Sequence, residues 1–238
     1  MRPINNTRPV SLTDRVYTEL VSAVVSRELA PGDKLTDRRL AEQLGVSRTP
    51  IREALQRMVQ SGLADPHGRA GWTVAALDQR DIEELFELRS MLEPAGIRHI
   101  VQEQNTSAMK ELLTFFDRFG DTVAEERYEE YFGVDRSFHS RIVALSGNRR
   151  IVAAYRNVEL QIDLGRHRLL LSTPARVDQT LAEHKAIAAA IASGDEERAM
   201  TELGGHLSHG VQLLLETFPV RKPERPGRPR RPGEERGT

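Results

Sequence analysis

Apolar side chains recur every three or four positions in segment 47–61, where Ile51, Leu55 and Met58 share one face of a predicted helix. We expect that face to pack into a core, because amphipathic helices bury their apolar stripe. The opposite face then carries polar and basic residues. These are Thr49, Arg52 and Gln56.

A shorter helix and a tight turn precede this segment. Thr36 is a suitable N-cap for a helix that ends near Leu44, and Gly45 suits a turn with positive φ. Ser47 is then expected to cap the following helix. A short helix, a turn and a second helix form a helix-turn-helix, in which the second helix enters the major groove of DNA. Segment 36–62 therefore predicts DNA binding.

Two flanking segments complete a predicted winged helix-turn-helix domain over residues 1–77. Ser11 and Asp14 resemble a capping box at the start of a helix over about 12–27. Residues 63–77 contain two short stretches of strand character around a glycine-rich turn, which is the pattern of a wing.

Residues 78–218 show no convincing strand pattern and predict an all-helical effector domain. The fold class is therefore mostly α, an N-terminal winged helix-turn-helix followed by a C-terminal all-helical bundle. Residues 219–238 are too rich in Pro, Gly and Arg to pack a core and predict a disordered basic tail. The helices of the bundle are expected at about 78–103, 107–119, 124–145, 149–171, 175–193 and 195–217.

The charge along the 238 residues is uneven, although the formal net charge is −1. Residues 1–76 carry a net charge of +3, residues 77–218 carry −8 and residues 219–238 carry +4. A basic front end on an acidic body indicates two domains with different partners.

The absence of cysteine excludes disulfides and thiolate zinc sites and suits a reducing cytoplasm. The first ten residues are polar and lack the apolar core of a signal peptide. The longest apolar run, residues 186–192, is too short to cross a bilayer. We therefore expect a cytoplasmic protein with no membrane partner.

Residues around the second helix are candidates for DNA contacts. The free N–H groups of a helix N-terminus suit phosphate, and Ser47 and Thr49 add hydroxyls there. Arg48 and Arg52 can reach phosphates or pair with guanine, and Arg38 on the preceding helix can touch the DNA backbone. In the alternative interpretation, these arginines form a solvated helix face. The remaining candidates are Gln56 and, in the wing, His67, Gly68 and Arg69.

The run from Leu44 to Leu55, LGVSRTPIREAL, closely resembles the DNA-binding domain of the GntR family of bacterial repressors. The resemblance covers residues 11–77. It implies a homodimer whose two winged helices bind the two half-sites of a near-palindromic operator in double-stranded DNA.

The predicted helical domain holds a second group of chemically distinctive residues. Asp135 and His139 lie four positions apart and share one helix face, while His184 and His206 lie in two later helices. Imidazoles with a carboxylate suit a divalent first-row metal ion. Spacing alone favours a plainer interpretation, in which each is a surface or satisfied core residue. His209, one turn beyond His206, is a rival for the last ligand position.

Residues 78–217 resemble the FCD effector domain of the FadR-type branch of the GntR family. The shared pattern is D-x-x-x-H on one helix and a His on each of two later helices. The resemblance implies a metal site, prefers His206 to His209, and leaves Zn²⁺, Ni²⁺ and Mn²⁺ open. His99 and His167 have no such support and are expected to be structural or surface residues. The implied ligands are Asp135, His139, His184 and His206.

Arg89 lies in the first helix of this domain, where the resemblance often places an arginine that faces a ligand cavity. A buried guanidinium can clamp a carboxylate through two hydrogen bonds. The alternative is an exposed arginine paired with Glu93 four residues later, and the sequence does not choose between them. Arg166 and Arg168 are weaker candidates for the cavity.

These features predict a ligand-responsive transcription regulator, a repressor rather than an activator, and not an enzyme. Its effector domain is expected to bind a divalent metal ion and a small organic or sugar acid, because four protein ligands on an octahedral ion leave two positions for a carboxylate. Two alternatives stay open. The ion itself is the signal in a metal sensor, and a metalloenzyme would use it to activate water, although no general acid or base motif is visible.

Overall fold

The computed structural model describes residues 11–67, 71–170 and 174–218, and for residues 166–170 and 174–175 it describes the backbone alone. The first of these ranges and the start of the second form a winged-helix domain of helices and short strands. The bounds of its elements are α1 Leu12–Val25, β1 Lys34–Leu35, α2 Asp37–Leu44, α3 Arg48–Gln60, β2 Ala64–Pro66 and β3 Trp72–Val74.

The strands form an antiparallel sheet in the order β1-β3-β2. Thr73 of β3 pairs with Lys34 of β1 on one side and with Asp65 of β2 on the other. β2 and β3 are the two strands that the wing pattern predicts. The sequence gives no sign of β1, because two residues are too few for an alternation of apolar and polar positions.

The start of α2 and the turn between α2 and α3 have the predicted geometry. Thr36 Oγ1 accepts a hydrogen bond from the backbone N–H of Arg39 at 3.4 Å, and Gly45 lies in the left-handed region with φ 66°. Ser47 occupies the N-cap position of α3, but its hydroxyl makes no capping hydrogen bond, so the expected side-chain cap is wrong.

The described chain after residue 78 is helical, which confirms the predicted fold class. These helices form the effector domain. Their bounds are α4 Gln79–Gln102, α5 Thr106–Leu113, α6 Tyr128–Ala144, α7 Arg149–Leu170, α8 Pro174–Ala192 and α9 Glu196–Leu215.

Two predicted helices are wrong at one end. The helix expected over 107–119 stops at Leu113, and Asp117–Phe119 form a short 3₁₀ turn. The helix expected over 124–145 begins at Tyr128, after a second 3₁₀ turn. Helix propensity is a weak signal that tertiary packing can override, and aromatic rings are buried in this connection. The buried rings are those of Phe116 and Phe119.

Each domain has its own hydrophobic core. In the winged-helix domain, α1 and α3 pack together and bury residues such as Leu20 and Leu55. In the effector domain, α4 and α8 both pack along α9 and bury residues such as Ile97, Leu181 and Leu203. The buried positions recur every three or four residues, as expected for helices that bury one face.

Helix α7 belongs to the effector domain but also reaches the other core. Leu164 of α7 is buried among the core residues of the winged-helix domain. Arg27, just after α1, donates a hydrogen bond to the backbone carbonyl of Leu164 at 3.3 Å. Leu77 packs against both cores. Because the chain has two separate hydrophobic cores, we propose residues 1–77 and 78–218 as the two domains.

No helix within residues 11–67, 71–170 and 174–218 is long and apolar enough to cross a membrane. The predicted tail 219–238 and the wing candidates Gly68 and Arg69 lie outside the described residues.

Helices α4 and α6 lie in close contact at Gly96. A β-carbon at this position would lie 1.9 Å from the backbone carbonyl oxygen of Ile142. No pair of non-bonded atoms tolerates that separation, so a side chain here forces the two helices apart.

We expect Gly96→Ala to destabilise the protein by about 3 kcal/mol, because an overpacked core must shift its backbone to admit the methyl group. Thermal unfolding followed by circular dichroism measures this. Gly204→Ala on α9 is the matched control, since its β-carbon would meet no atom within 4 Å. That variant should be neutral or stabilising by up to about 1 kcal/mol. Equal melting temperatures for the two variants would show that α4 and α6 are not packed this closely.

Candidate functional site

The polar face of α3 is exposed, as its pattern predicts. Ile51, Leu55 and Met58 on the other face are fully buried. Arg38 of α2 is exposed and pairs with Glu42 at 3.0 Å. The other exposed candidates for DNA contact are Ser47, Arg48, Thr49, Arg52 and Gln56, with His67 after β2.

Asp37, the first residue of α2, holds the two candidate arginines of α3. Its carboxylate accepts hydrogen bonds from Arg48 Nη2 at 2.8 Å and from Arg52 Nε at 2.5 Å. These bonds, that of Arg48 foremost, lower the pKa of Asp37 and keep it ionised. Such exposed pairs add little stability, but they fix both guanidinium groups beside the N-terminal half of α3. The sequence does not single out Asp37, because an acidic residue in a first turn is already explained by the helix dipole.

Three helices of the effector domain bring four potential metal ligands together. Asp135 and His139 lie one turn apart on α6, His184 lies on α8 and His206 on α9. One ligand atom of each residue lies within 4.8 Å of those of the others. All four residues are buried. We call this group the His/Asp cluster.

The separations within the His/Asp cluster fit one ion. His139 Nε2 lies 3.0 Å from His184 Nε2 and 3.2 Å from His206 Nε2. Asp135 Oδ1 lies 3.0 Å from His184 Nε2 and 3.3 Å from His139 Nε2. Donor atoms that share an ion at bond lengths of about 2.0–2.1 Å lie about 3 Å apart when adjacent. The cluster thus offers three nitrogens and a carboxylate oxygen to a divalent metal ion.

The outer nitrogen of each imidazole in the cluster has its own hydrogen-bond partner. With the proton on Nδ1, each ring donates outward and turns its Nε2 lone pair toward the cluster, as metal-bound histidines do. The sequence patterns gave no sign of these partners as a group, because they come from different helices. The partners are Glu93 Oε2 for His139 at 2.8 Å, Glu183 Oε2 for His206 at 3.0 Å and the Tyr131 hydroxyl for His184 at 2.9 Å.

Burial also favours the neutral form of two of these rings, those of His184 and His206. It lowers the pKa of His184 to about 3, and the neighbouring His206 adds to the effect. Burial lowers the pKa of His206 as well. A neutral imidazole is the form that binds a metal ion.

His209 lies outside the cluster. Its side chain is 54 % exposed, and its Nδ1 contacts Glu183 Oε1 at 2.8 Å. His206 is the residue that joins the cluster from α9. His99 is exposed, and the side chain of His167 lies outside the described residues.

Arg89 combines features of both sequence interpretations. It is paired with Glu93, whose Oε1 accepts a hydrogen bond from Arg89 Nε at 2.6 Å, but it is buried rather than exposed. Its Nη2 is the one buried side-chain nitrogen or oxygen in the described parts of the chain that has no hydrogen-bond partner. A buried donor of this kind costs about 1–3 kcal/mol unless a ligand or water accepts from it. Arg89 is therefore placed to receive an anion.

Glu93 connects Arg89 to the His/Asp cluster. Its Oε1 also accepts a hydrogen bond from the Tyr155 hydroxyl at 2.9 Å, while Oε2 faces His139. Burial opposes ionisation of Glu93, but the charge of Arg89 and the hydrogen bonds from Arg89 and His139 outweigh it and hold the pKa of Glu93 well below the usual range. Pairing with Glu93 likewise raises the pKa of Arg89 against the effect of burial. From the sequence, Glu93 is expected only as a surface partner of Arg89.

A cavity of about 490 Å³, including the part that opens to solvent, lies beside the cluster. Arg89, Asp135 and His206 are among the residues that line it. The side chains of Arg166 and Arg168, the weaker cavity candidates, lie outside the described residues. The other lining residues are Phe86, Phe132, Ile162, Thr180, Gly210, Leu213 and Leu214.

Comparison with protein families matches both parts of the chain. Residues 84–209 match the model of the FCD domain, which covers more than half of the chain. Residues 12–74 match the model of the bacterial regulatory proteins of the gntR family. The two resemblances seen in the sequence are thereby confirmed.

Relatives of similar length support the same assignment. An HTH-type transcriptional regulator of Streptomyces ambofaciens is 31% identical over 192 residues, 81% of this chain and 80% of that protein. The HTH-type transcriptional regulator YdhC of Bacillus subtilis is 24% identical over 212 residues, 87% and 92% of the two chains. The structure of McbR/YncC from E. coli superposes with a TM-score of 0.70 at 26% identity, covering 87% of this chain and 99% of that one.

These relatives are named as transcriptional regulators, which agrees with the expectation that the protein is not an enzyme. The helix-turn-helix with its exposed basic face and the helical domain behind it have the order that both family models require. The chain belongs to the GntR family of bacterial regulatory proteins, in the FadR-type branch whose DNA-binding domain is followed by an FCD effector domain.

Proposed function

We propose that this transcriptional regulator is a homodimeric repressor that releases or engages its operator when a small carboxylate-bearing effector binds beside a metal ion. The observation that carries the proposal is the convergence of the His/Asp cluster and the unpaired Arg89 Nη2 on one cavity.

The winged-helix domain supplies the DNA contacts. Helix α3 is proposed to read the major groove through Arg48 and Arg52, with Ser47 and Thr49 near the phosphates and Gln56 one turn further along. Arg38 and the wing, with His67, Gly68 and Arg69, would contact the backbone beside it. Two copies related by a two-fold axis would match two operator half-sites.

The effector domain is proposed to hold Zn²⁺, Ni²⁺ or Mn²⁺ through the His/Asp cluster, since this donor set suits all three ions. When bound, the ion supplies a Lewis-acidic partner for an anionic oxygen of the effector. Arg89 provides the second anionic contact, and Glu93 holds its guanidinium in place through Nε. Two anchors in one cavity favour an organic acid over the metal ion as the regulatory signal.

Helix α7 is the proposed link between effector and DNA. Its Ile162 lines the cavity, its Asp163 pairs with Arg136 at 2.9 Å next to the ligand Asp135, and its Leu164 is buried in the winged-helix core. Successive residues of one rigid helix thus contact the effector site and the DNA-binding domain. An effector changes DNA affinity only if it binds two arrangements of these domains unequally.

The first prediction concerns the metal. His139→Ala combined with His184→Ala should abolish the metal content of protein purified without chelator, because two of four donors are lost. Elemental analysis measures the metal, and far-UV circular dichroism checks the fold. His209→Ala is the control and should keep its metal, since His209 lies outside the cluster. A full metal complement in the folded double variant would rule out this site.

The second prediction concerns DNA. Arg52→Ala should weaken binding to an operator selected from random sequences by the wild-type protein, by about 1–3 kcal/mol if Arg52 contacts a base. A gel-shift titration measures this. Arg80→Ala, an exposed arginine of α4 that pairs with Glu84, is the control and should bind as the wild type does. An unchanged shift for Arg52→Ala removes this residue from the DNA interface.

The third prediction concerns coupling between the domains. Trp72 is the single tryptophan and lies on β3, so its fluorescence reports unfolding of the winged-helix domain. Adding Zn²⁺ to chelator-treated wild-type protein should raise the unfolding midpoint reported by Trp72 by several degrees. Metal binding stabilises the effector domain, and it also stabilises the winged-helix domain if the two domains unfold together.

Leu164→Ala should reduce this shift in Trp72 fluorescence while the metal content stays unchanged. Leu113→Ala is the control, because Leu113 is exposed on α5 and away from α7. If Leu164→Ala and the wild type show the same shift, α7 does not transmit metal binding to the winged-helix domain.

A further inference from the structure

The lining of the effector cavity contains two chemically different groups of residues. Arg89, Asp135 and His206 form the polar group, which includes the unpaired Arg89 Nη2 and two members of the His/Asp cluster. The apolar group consists of large side chains, two of them aromatic. These are Phe86, Phe132, Ile162, Leu213 and Leu214.

We propose that the effector is a monocarboxylate with an apolar body, aromatic or branched aliphatic, rather than a polyhydroxylated sugar acid or a polycarboxylate. This inference rests on the proposed function and narrows its ligand class.

The charges of the polar group balance a single carboxylate. The Arg89 guanidinium is already neutralised by Glu93, which is fully buried beside it. A divalent ion on Asp135 leaves one positive charge. Glu183, behind His206, is only partly buried and is shared with His209, so water screens it. A ligand with two or three carboxylates would bring uncompensated negative charge into a buried site.

The apolar group of lining residues has little to offer the hydroxyl groups of a sugar acid. Among the described lining residues, Thr180 contributes a hydroxyl, and its O–H is donated to the backbone carbonyl of Arg176 at 2.8 Å, so it can accept but not donate a further hydrogen bond. Sugar hydroxyls placed against Phe132 and Leu213 would lose their hydrogen bonds to water without replacement. An apolar body loses nothing there and gains by leaving water.

Phe86 belongs to the apolar group and also contacts Arg89 of the polar group. Gly210 of α9 lines the cavity, and a β-carbon there would lie 2.8 Å from the Phe86 ring. The ring therefore lies directly against the backbone of α9. Its face also carries the Arg89 guanidinium, whose Cζ lies 5.1 Å from the ring centre. One aromatic side chain thus forms the apolar wall and supports the anion-binding arginine.

The test is isothermal titration of the full-length, Zn²⁺-loaded protein with four sodium salts: benzoate, 3-methylbutanoate, gluconate and citrate. We expect the tighter of the two apolar acids to bind at least about tenfold more strongly than gluconate or citrate, since each unpaired buried hydroxyl or charge weakens binding by about that factor.

Leu213→Asn supplies a matched variant, because it keeps the size of the side chain and places a hydrogen-bonding amide in the cavity wall. Leu213 is partly exposed, so the fold should tolerate the change. The preference for apolar acids over gluconate should fall by about tenfold in this variant. Leu88→Asn, at an exposed position of α4 away from the cavity, should keep the wild-type preference.

Tighter binding of gluconate or citrate than of either apolar acid would overturn this inference and leave the proposed function standing. Equal preferences in Leu213→Asn and the wild type would also overturn it, because the apolar wall would then not contact the ligand. If none of the four acids binds to the metal-loaded protein, both the inference and the effector part of the proposed function fail.

Discussion

The effector site depends on the contacts that hold the buried carboxylate of Glu93. A lone charge inside a protein is strongly unfavourable, and this one persists because three donors surround it. Arg89 and the Tyr155 hydroxyl contact one oxygen, and His139 contacts the other. One group therefore fixes the arginine proposed to bind the effector and orients a proposed metal ligand. Whatever binds on one side of this carboxylate changes the electrostatic environment on the other.

Close packing of two helices makes that contact possible. Glu93 on α4 faces His139 on α6, and Gly96 faces Ile142 three residues further along both helices. The missing side chain at Gly96 lets the backbones approach until a short carboxylate reaches the imidazole. Steric fit at one glycine thus sets the separation at which the charged groups meet, and electrostatics acts only after that separation is reached.

Much of the fold follows from local pattern, and much of the site does not. The helical spacing of Ile51, Leu55 and Met58 correctly identifies the buried face of α3, because 3.6-residue periodicity is a property of the chain itself. Local pattern does not decide whether Arg89 is buried or exposed. An i,i+4 pair with Glu93 has the same spacing whether it lies in water or in a core, and only the packing of neighbouring helices distinguishes them.

The sequence by itself determined the order of the elements, the winged helix-turn-helix and the residue types that suit a metal ion, since these depend on neighbours along the chain. Tertiary structure alone decided the distances at which residues from α6, α8 and α9 meet, and that Leu164 enters the other domain's core. These are contacts between helices far apart in sequence. Their geometry depends on how side chains interlock in the folded core, and no local periodicity encodes that.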